Sequence, residues 1–444
     1  MAAAGTLDEV AVAALREERL DWRFKAVPAA AHGETAGSWL ASRPRLSELG
    51  TPLLTLDASA LAHNRDTVAA WADAAGVLLA PHGKTTMAPA LWKQQLDAGA
   101  WGVTLANLPQ LRVARAFRVS RLMLANSLVD PAGLAWLSAE LDADPEFAFL
   151  CWVDSERTVE LMDAALRAAG AGRPVDVLVE LGGPHGRTGV RDLDAALRVA
   201  EAVRRSPLLR LAGTGGYEGA FAHDASADSL AVVDGYLDRL TELHGRLAGL
   251  GYETERPVVT AGGSAYPDRV ARALGALNGA NGPSGANGPN GAPEVDAVLR
   301  SGAYLIHDDG FYRGISPFGS ADGRAPGTPR LRAGMHGWAR VVSHPEPELA
   351  LLDAGKRDLP FDEGLPEPQL LFGAGRLTEC EVSALNDQHA FLTGPGAARA
   401  AVGDVLRLGL SHPCTAFDKW SLIPVLDDAD SADPVVVDLV RTWF

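Results

Sequence analysis

The sequence predicts an α/β protein of two parts, a (β/α)8 barrel over residues 51–317 and an all-β domain over 318–444, preceded by an N-terminal arm over 1–50. Three observations predict it. Eight short runs rich in Val, Leu and Ile recur from residue 77, separated by stretches with helical periodicity. After about residue 318 the texture changes to short β segments punctuated by Gly and Pro. The chain length, 444 residues, exceeds what one hydrophobic core usually supports.

Along the chain, the arm lacks the barrel's rhythm and is expected to pack on the β domain. LLTLD (53–57) precedes the first barrel strand. The eight runs are VLLA (77–80), WGVTLA (101–106), RLMLA (121–125), FAFLCWV (147–153), VDVLVEL (175–181), LRLAGT (209–214), PVVTA (257–261) and VDAVLR (295–300). Near-continuous apolar strands joined by helical crossovers are covered on both faces, as in a closed parallel barrel; an open doubly wound sheet is the alternative. Residues 192–207 and 229–251 illustrate the crossover helices, with apolar positions three and four apart and Gly or Pro at the stop. Residues 278–293, of low-complexity Gly/Asn/Pro/Ser, read as a surface insertion without a core. Beyond it, 337–345, 348–355, 379–394 and 404–414 read as the strands of the second domain.

Charge and cysteine content narrow the function. A net charge of −16 argues against nucleic-acid partners, which need clustered positive charge. Three cysteines, Cys151, Cys380 and Cys414, are too few for a disulfide framework. Asp8, Glu9, Glu17 and Glu18 interrupt any export signal, and every apolar run is broken before it could span a bilayer, so the expected address is the cytoplasm and no membrane partner is expected.

The residues able to do chemistry fall at strand ends. Lys84, in APHGKTT, follows the first barrel strand, on the carboxyl-end rim where such barrels place active sites. An amine there can form a Schiff base, although most lysines are solvated surface charges. TAGGS (260–264) offers Gly262, Gly263 and Ser264 after a late strand, a place for a phosphate; two glycines there also make an ordinary tight turn. Arg187, in GGPHGRTGV, could contact an anionic oxygen or be a surface arginine in a glycine loop. In SHPCTAFDKW, His412 and Cys414 alternate across one proline, and imidazole plus thiolate suits zinc with positions left open for water or substrate. The plainer reading is a structural His beside a buried Cys. Tyr217, His223, Tyr304, His307 and Asp308 also follow strand-like runs, where packing is the commoner role.

In order along residues 20–440, APHGKTT, GRTGV, GGYEG, TAGGS, RSGAY, LNDQHAFL and HPCTAFDKW resemble the fold-type III pyridoxal-phosphate enzymes of the metal-dependent D-serine dehydratase/D-threonine aldolase group, in its bacterial deaminase-like branch with an alanine racemase-like barrel. The resemblance implies pyridoxal 5'-phosphate and zinc as cofactors. It gives Lys84 the covalent hold on the cofactor, Arg187 the cofactor's phenolic oxygen, Tyr217 the ring's neighbourhood, and Gly262, Gly263 and Ser264 the phosphate. It makes His412 and Cys414 the metal ligands; His-x-Cys marks the dehydratases of the group and His-x-Asp the aldolases. The implied reaction is loss of the β-hydroxyl from a D-configured amino acid of the serine or threonine type, giving a 2-oxo acid and ammonia, in a homodimer. Departures from the better-known dehydratases at GAFAHD and LNDQHAFL, which include His223 and His389, leave the substrate side chain open. Retro-aldol cleavage, a non-catalytic cofactor carrier and a racemase are the alternatives.

Overall fold

Runs such as VDVLVEL have β-branched or leucine side chains on both faces of an extended backbone, so they are stable only when both faces are covered. In the computed structural model, which describes residues 3–278, 294–319 and 328–444, each of the eight runs contains one strand of a parallel sheet. Most of the 278–293 insertion, from residue 279, lies outside the described residues. In spatial order the strands are Leu78–Leu79, Asp296–Leu299, Val258–Ala261, Leu209–Gly216, Val175–Leu181, Ala148–Val153, Arg121–Ser127 and Val103–Leu105. The first and last are joined by a parallel bridge between His82 and Thr104. Trp101 N donates to Leu79 O at 2.7 Å and Thr104 N to Pro81 O at 2.9 Å, so the sheet closes into a barrel. Its lumen is filled by Ala80, Trp101, Met123, Leu150, Trp152, Leu178, Ala212, Val258 and Val298, all buried.

The crossover helices start and stop where side-chain chemistry tells them to. Ser155 caps Glu156–Ala169 by accepting Thr158 N–H, and Gly170 ends that helix in the left-handed region at φ 70°. Asp192 caps Leu193–Arg205, whose Ala196, Val199, Ala200 and Val203 are buried at helical spacing.

The chain divides into two compact units. One holds the residues up to Asp8, Val68–Lys84 and Lys93–Gly302; the other holds Glu9–Thr67, Thr85–Trp92 and Ala303–Phe444. In the second unit a mixed, mostly antiparallel sheet runs Gly375–Arg376, Glu367–Leu371, Val405–Gly409, Met335–Glu346, Leu53–Asp57, Leu422–Leu426, Val436–Arg441, extended by Leu349–Leu352, Ala390–Thr393 and Glu381–Leu385. LLTLD, grouped with the barrel in the sequence reading, is a strand of this sheet, antiparallel to Met335–Glu346 and parallel to Leu422–Leu426. Leu20, Phe24, Trp39, Leu46 and Leu49 of the arm share a core with Trp338, Leu422, Leu426 and Val436. No helix among the described residues is long and apolar enough to cross a membrane.

Candidate active site

In the barrel unit the named residues gather at the carboxyl ends of the strands. Lys84 sits, half-buried, on the single 3-10 turn Gly83–Thr85 after the first strand. Beside it His82 has a shielded Nδ1 with no partner and is held well below its ordinary pKa, by burial first and then by the charges of Lys84, Arg300 and Arg187. The His82 imidazole, two arginines and the lysine-bearing turn thus converge on one rim.

Tyr217 follows the sixth strand, and its ring fills the space where Gly263 and Gly219 lack side chains. A Cβ on Gly263 would stand 2.9 Å from the ring, and one on Gly219 2.5 Å from the phenol oxygen. The Arg187 guanidinium lies 4.7 Å from the same ring's centre. Arg187, Tyr217 and Gly263, drawn from three separate loops, are therefore brought together. Gly262 turns at φ 107°, and Ser264 is half-buried ahead of helix Pro267–Gly275. The Gly263 N–H does not stand free, because it donates to Glu218 Oε1 at 3.1 Å.

The sequence reading passed over four polar groups under this rim. Glu218 is fully buried, its Oε2 has no partner, and burial raises its pKa. Glu180 accepts from Thr188 Oγ1 at 2.8 Å, leaves Oε2 without a partner, and is pushed by burial up to about 7. Arg300, at the end of the eighth strand, donates to Thr260 Oγ1 at 2.7 Å and Gly216 O at 2.5 Å and lies 5.2 Å from the Trp152 ring. With His82 these groups leave three shielded polar atoms unsatisfied next to a glycine-lined, lysine-bearing mouth. A planar polar cofactor fits that demand. The signals lay inside the quoted motifs, since His82, Glu218 and Arg300 stand in APHGKTT, GGYEG and RSGAY.

In the β unit, His412 precedes the short helix Pro413–Phe417 with φ 52°. Its N–H donates to Asp308 Oδ2 at 3.1 Å, while Asp308 Oδ1 accepts from Gly310 N at 3.0 Å and Tyr312 N at 2.9 Å. Burial raises Asp308 to about 6, against the pull of those bonds. The His412 ring places Nδ1 2.6 Å from Asp362 Oδ2, and Asp362 Oδ1 accepts from Thr415 Oγ1 at 2.6 Å. Burial pulls the imidazole's pKa down, but hydrogen bonding to Cys414 and the charges of Cys414 and Asp362 outweigh it and lift it to about 9. Imidazole nitrogen and thiolate sulfur are a donor set that suits zinc. Among the described residues no group of three or more His, Cys, Asp or Glu is arranged to hold a metal, so this pair would leave the remaining positions to water or substrate. Cys414 Sγ lies 3.5 Å from Thr85 Oγ1. Asp362 carried no local signal, standing 50 residues from its ring partner. Tyr304 and His307 are buried, and His223 is exposed.

A closed parallel barrel with a lysine-bearing, glycine-lined carboxyl rim, joined to a strand-rich unit, defines an alanine racemase-like class of pyridoxal-phosphate proteins. Residues 56–267 match the model of the alanine racemase N-terminal domain, and 334–426 match that of a putative serine dehydratase domain. Together these matches support a fold-type III D-serine dehydratase/D-threonine aldolase-like family, whose cofactor is pyridoxal 5'-phosphate. It is 28% identical to a D-threonine aldolase of Arthrobacter sp over 387 residues, 86% of this chain and 90% of the relative. The crystal structure of D-threonine aldolase from Filomicrobium marinum has a TM-score of 0.74 at 24% identity, over 90% of this chain and 97% of that one. A cysteine-to-alanine variant of D-threo-3-hydroxyaspartate dehydratase in the metal-free form has a TM-score of 0.70 at 20% identity, over 90% and 99%.

Proposed function

We propose that this chain is a pyridoxal-phosphate- and zinc-dependent dehydratase of a D-configured β-hydroxy amino acid, releasing a 2-oxo acid and ammonia. The observation that carries it is the position of Cys414: its sulfur touches Thr85, the residue bonded to Lys84 in the chain. When bound, the coenzyme supplies an electron sink for charge at the substrate's Cα. When bound, zinc supplies Lewis acidity at the β-hydroxyl.

The chain's own residues do the rest. Lys84 holds the coenzyme covalently and, once displaced by the substrate's amine, takes the α-proton on Nζ. Gly262, Gly263 and Ser264 take the phosphate end, Arg187 the phenolic oxygen, and Tyr217 the side of the ring. His412 and Cys414 would hold the metal; hydroxide leaves from Cβ once Lys84 has taken the α-proton, and hydrolysis of the resulting aminoacrylate gives the 2-oxo acid and ammonia. Support for the thiolate comes from its softness, which favours zinc over magnesium or manganese. A cytoplasmic homodimer completes the reading, and sedimentation equilibrium at twice the 46.6 kDa chain mass is its check.

Retro-aldol cleavage is the second reading, favoured by the likeness to D-threonine aldolase. Deprotonating the hydroxyl instead of expelling it breaks Cα–Cβ and gives glycine and an aldehyde. A panel of D-amino acids assayed for 2-oxo acid and for aldehyde, with and without zinc, separates the two. Ammonia with 2-oxo acid only in the presence of zinc is expected. Aldehyde supports the second reading; cofactor binding without turnover, or interconversion of enantiomers, removes both.

A further inference from the structure

We propose that Asp362 is the residue that makes Nε2 the metal-binding nitrogen of His412, an inference that rests on the metal pair assigned above. An imidazole offers two nitrogens, and whichever is already hydrogen-bonded to a carboxylate is lost to a metal. Here Nδ1 faces Asp362 Oδ2 at 2.6 Å, so Nδ1–H donates to the carboxylate and Nε2 is the nitrogen left to a metal, which takes the place of its proton.

Asp362 is itself held. Its second oxygen accepts from Thr415 Oγ1 at 2.6 Å, and Thr415 belongs to the same short helix as Cys414. The loop carrying Asp362 is tied to the residue before His412, because Ser411 Oγ donates to Glu363 O at 2.7 Å. With one oxygen on the ring and the other on Thr415, the carboxylate orients a ligand and is not itself set up as one.

The backbone of His412 is fixed from the other side. A non-glycine residue at φ 52° needs external support, and Asp308 Oδ2 supplies it by accepting the His412 N–H at 3.1 Å. The buried Asp308 is anchored through Oδ1 by the N–H groups of Gly310 and Tyr312. Asp308 therefore sets where the imidazole is rooted, and Asp362 sets how it is turned. RSGAYLIHDDG thereby acquires a role in placing the metal pair.

The test uses the full-length holoenzyme with histidine labelled with nitrogen-15 and cadmium-113 in place of zinc. Scalar coupling between cadmium and Nε2 is expected, and coupling to Nδ1 overturns the inference. Competition against a chromophoric chelator should show zinc bound about 10–100-fold more weakly by Asp362→Ala. Asp362→Asn, whose amide oxygen still accepts from Nδ1–H, should restore part of that loss and keep the Nε2 coupling. Thr415→Val removes the short bond to Asp362 at 2.6 Å together with longer contacts to His412 Nδ1 at 3.4 Å and His412 O at 3.3 Å; it should weaken zinc to a smaller extent and serves as the second probe should Asp362→Ala not fold. Coenzyme absorbance should be unchanged in all three. Wild-type zinc affinity in folded Asp362→Ala overturns the inference while leaving the metal pair standing. A wild-type protein that binds neither zinc nor cadmium removes the pair and this inference together.

Discussion

Removing the ε-amine of Lys84 removes the group proposed both to hold the coenzyme and to take the α-proton. Lys84→Ala should therefore lose the visible absorbance of the reconstituted protein and all turnover, read by spectrophotometry and product assay. Cys414→Ala should keep the absorbance and lose elimination, because the thiolate is proposed to serve the metal and not the coenzyme. Glu180 makes a separate, thermodynamic prediction. Burial lifts its carboxyl from 4.5 to about 7, so between those values the unfolded chain gives up the proton while the folded chain keeps it. Folding stability should fall as pH rises through that window, by on the order of 3 kcal/mol at most, and level off above it. Cofactor-free Glu180→Gln, which does not titrate, should show a flatter Tm from about pH 5 to about pH 8 than the parent protein. Lys84 was legible in the sequence because a strand end in a barrel is a privileged address. Glu180 was not, because a carboxylate in VDVLVEL gives no sign that its second oxygen is sealed from water without a partner.

At the scale of the element, the sixth barrel strand carries a constraint that strand propensity alone would not suggest. The pairing of Val175–Leu181 with Leu209–Gly216 slips a register at Gly213. A Cβ on Gly213 would stand 1.9 Å from the carbonyl oxygen of Val258 on the next strand. Gly213→Ala should destabilise the barrel by roughly 2–3 kcal/mol or more, seen as a lowered Tm and reduced soluble yield. The bulge also shapes the strand that ends in GGYEG, so a residue with no chemistry of its own helps aim Tyr217 and Glu218. Strands were the most legible elements, because a parallel strand covered on both faces is apolar at most of its positions. LLTLD shows the limit of that rule. It satisfies the same pattern, yet its hydrogen bonds go to Met335–Glu346 and Leu422–Leu426, more than 270 residues away in sequence.

For the whole molecule, 40 basic against 56 acidic residues leave a surface that repels polyanions. The purified protein should pass through heparin at low salt and be retained on an anion exchanger; retention on heparin would contradict this. What the sequence by itself determined is the set of elements and the chemistry they could offer: eight buried parallel strands, a lysine on their carboxyl rim, and an imidazole and a thiol spaced to share a cation. These are local properties, written in runs of a few residues. Tertiary structure alone decided partnership. It chose the sheet that LLTLD joins, sealed Glu180 and Glu218 away from water, and brought Asp362 across 50 residues to turn one imidazole. Hydrogen bonds and burial depend on distance in space, and the order of residues along the chain constrains that distance only after the chain has folded.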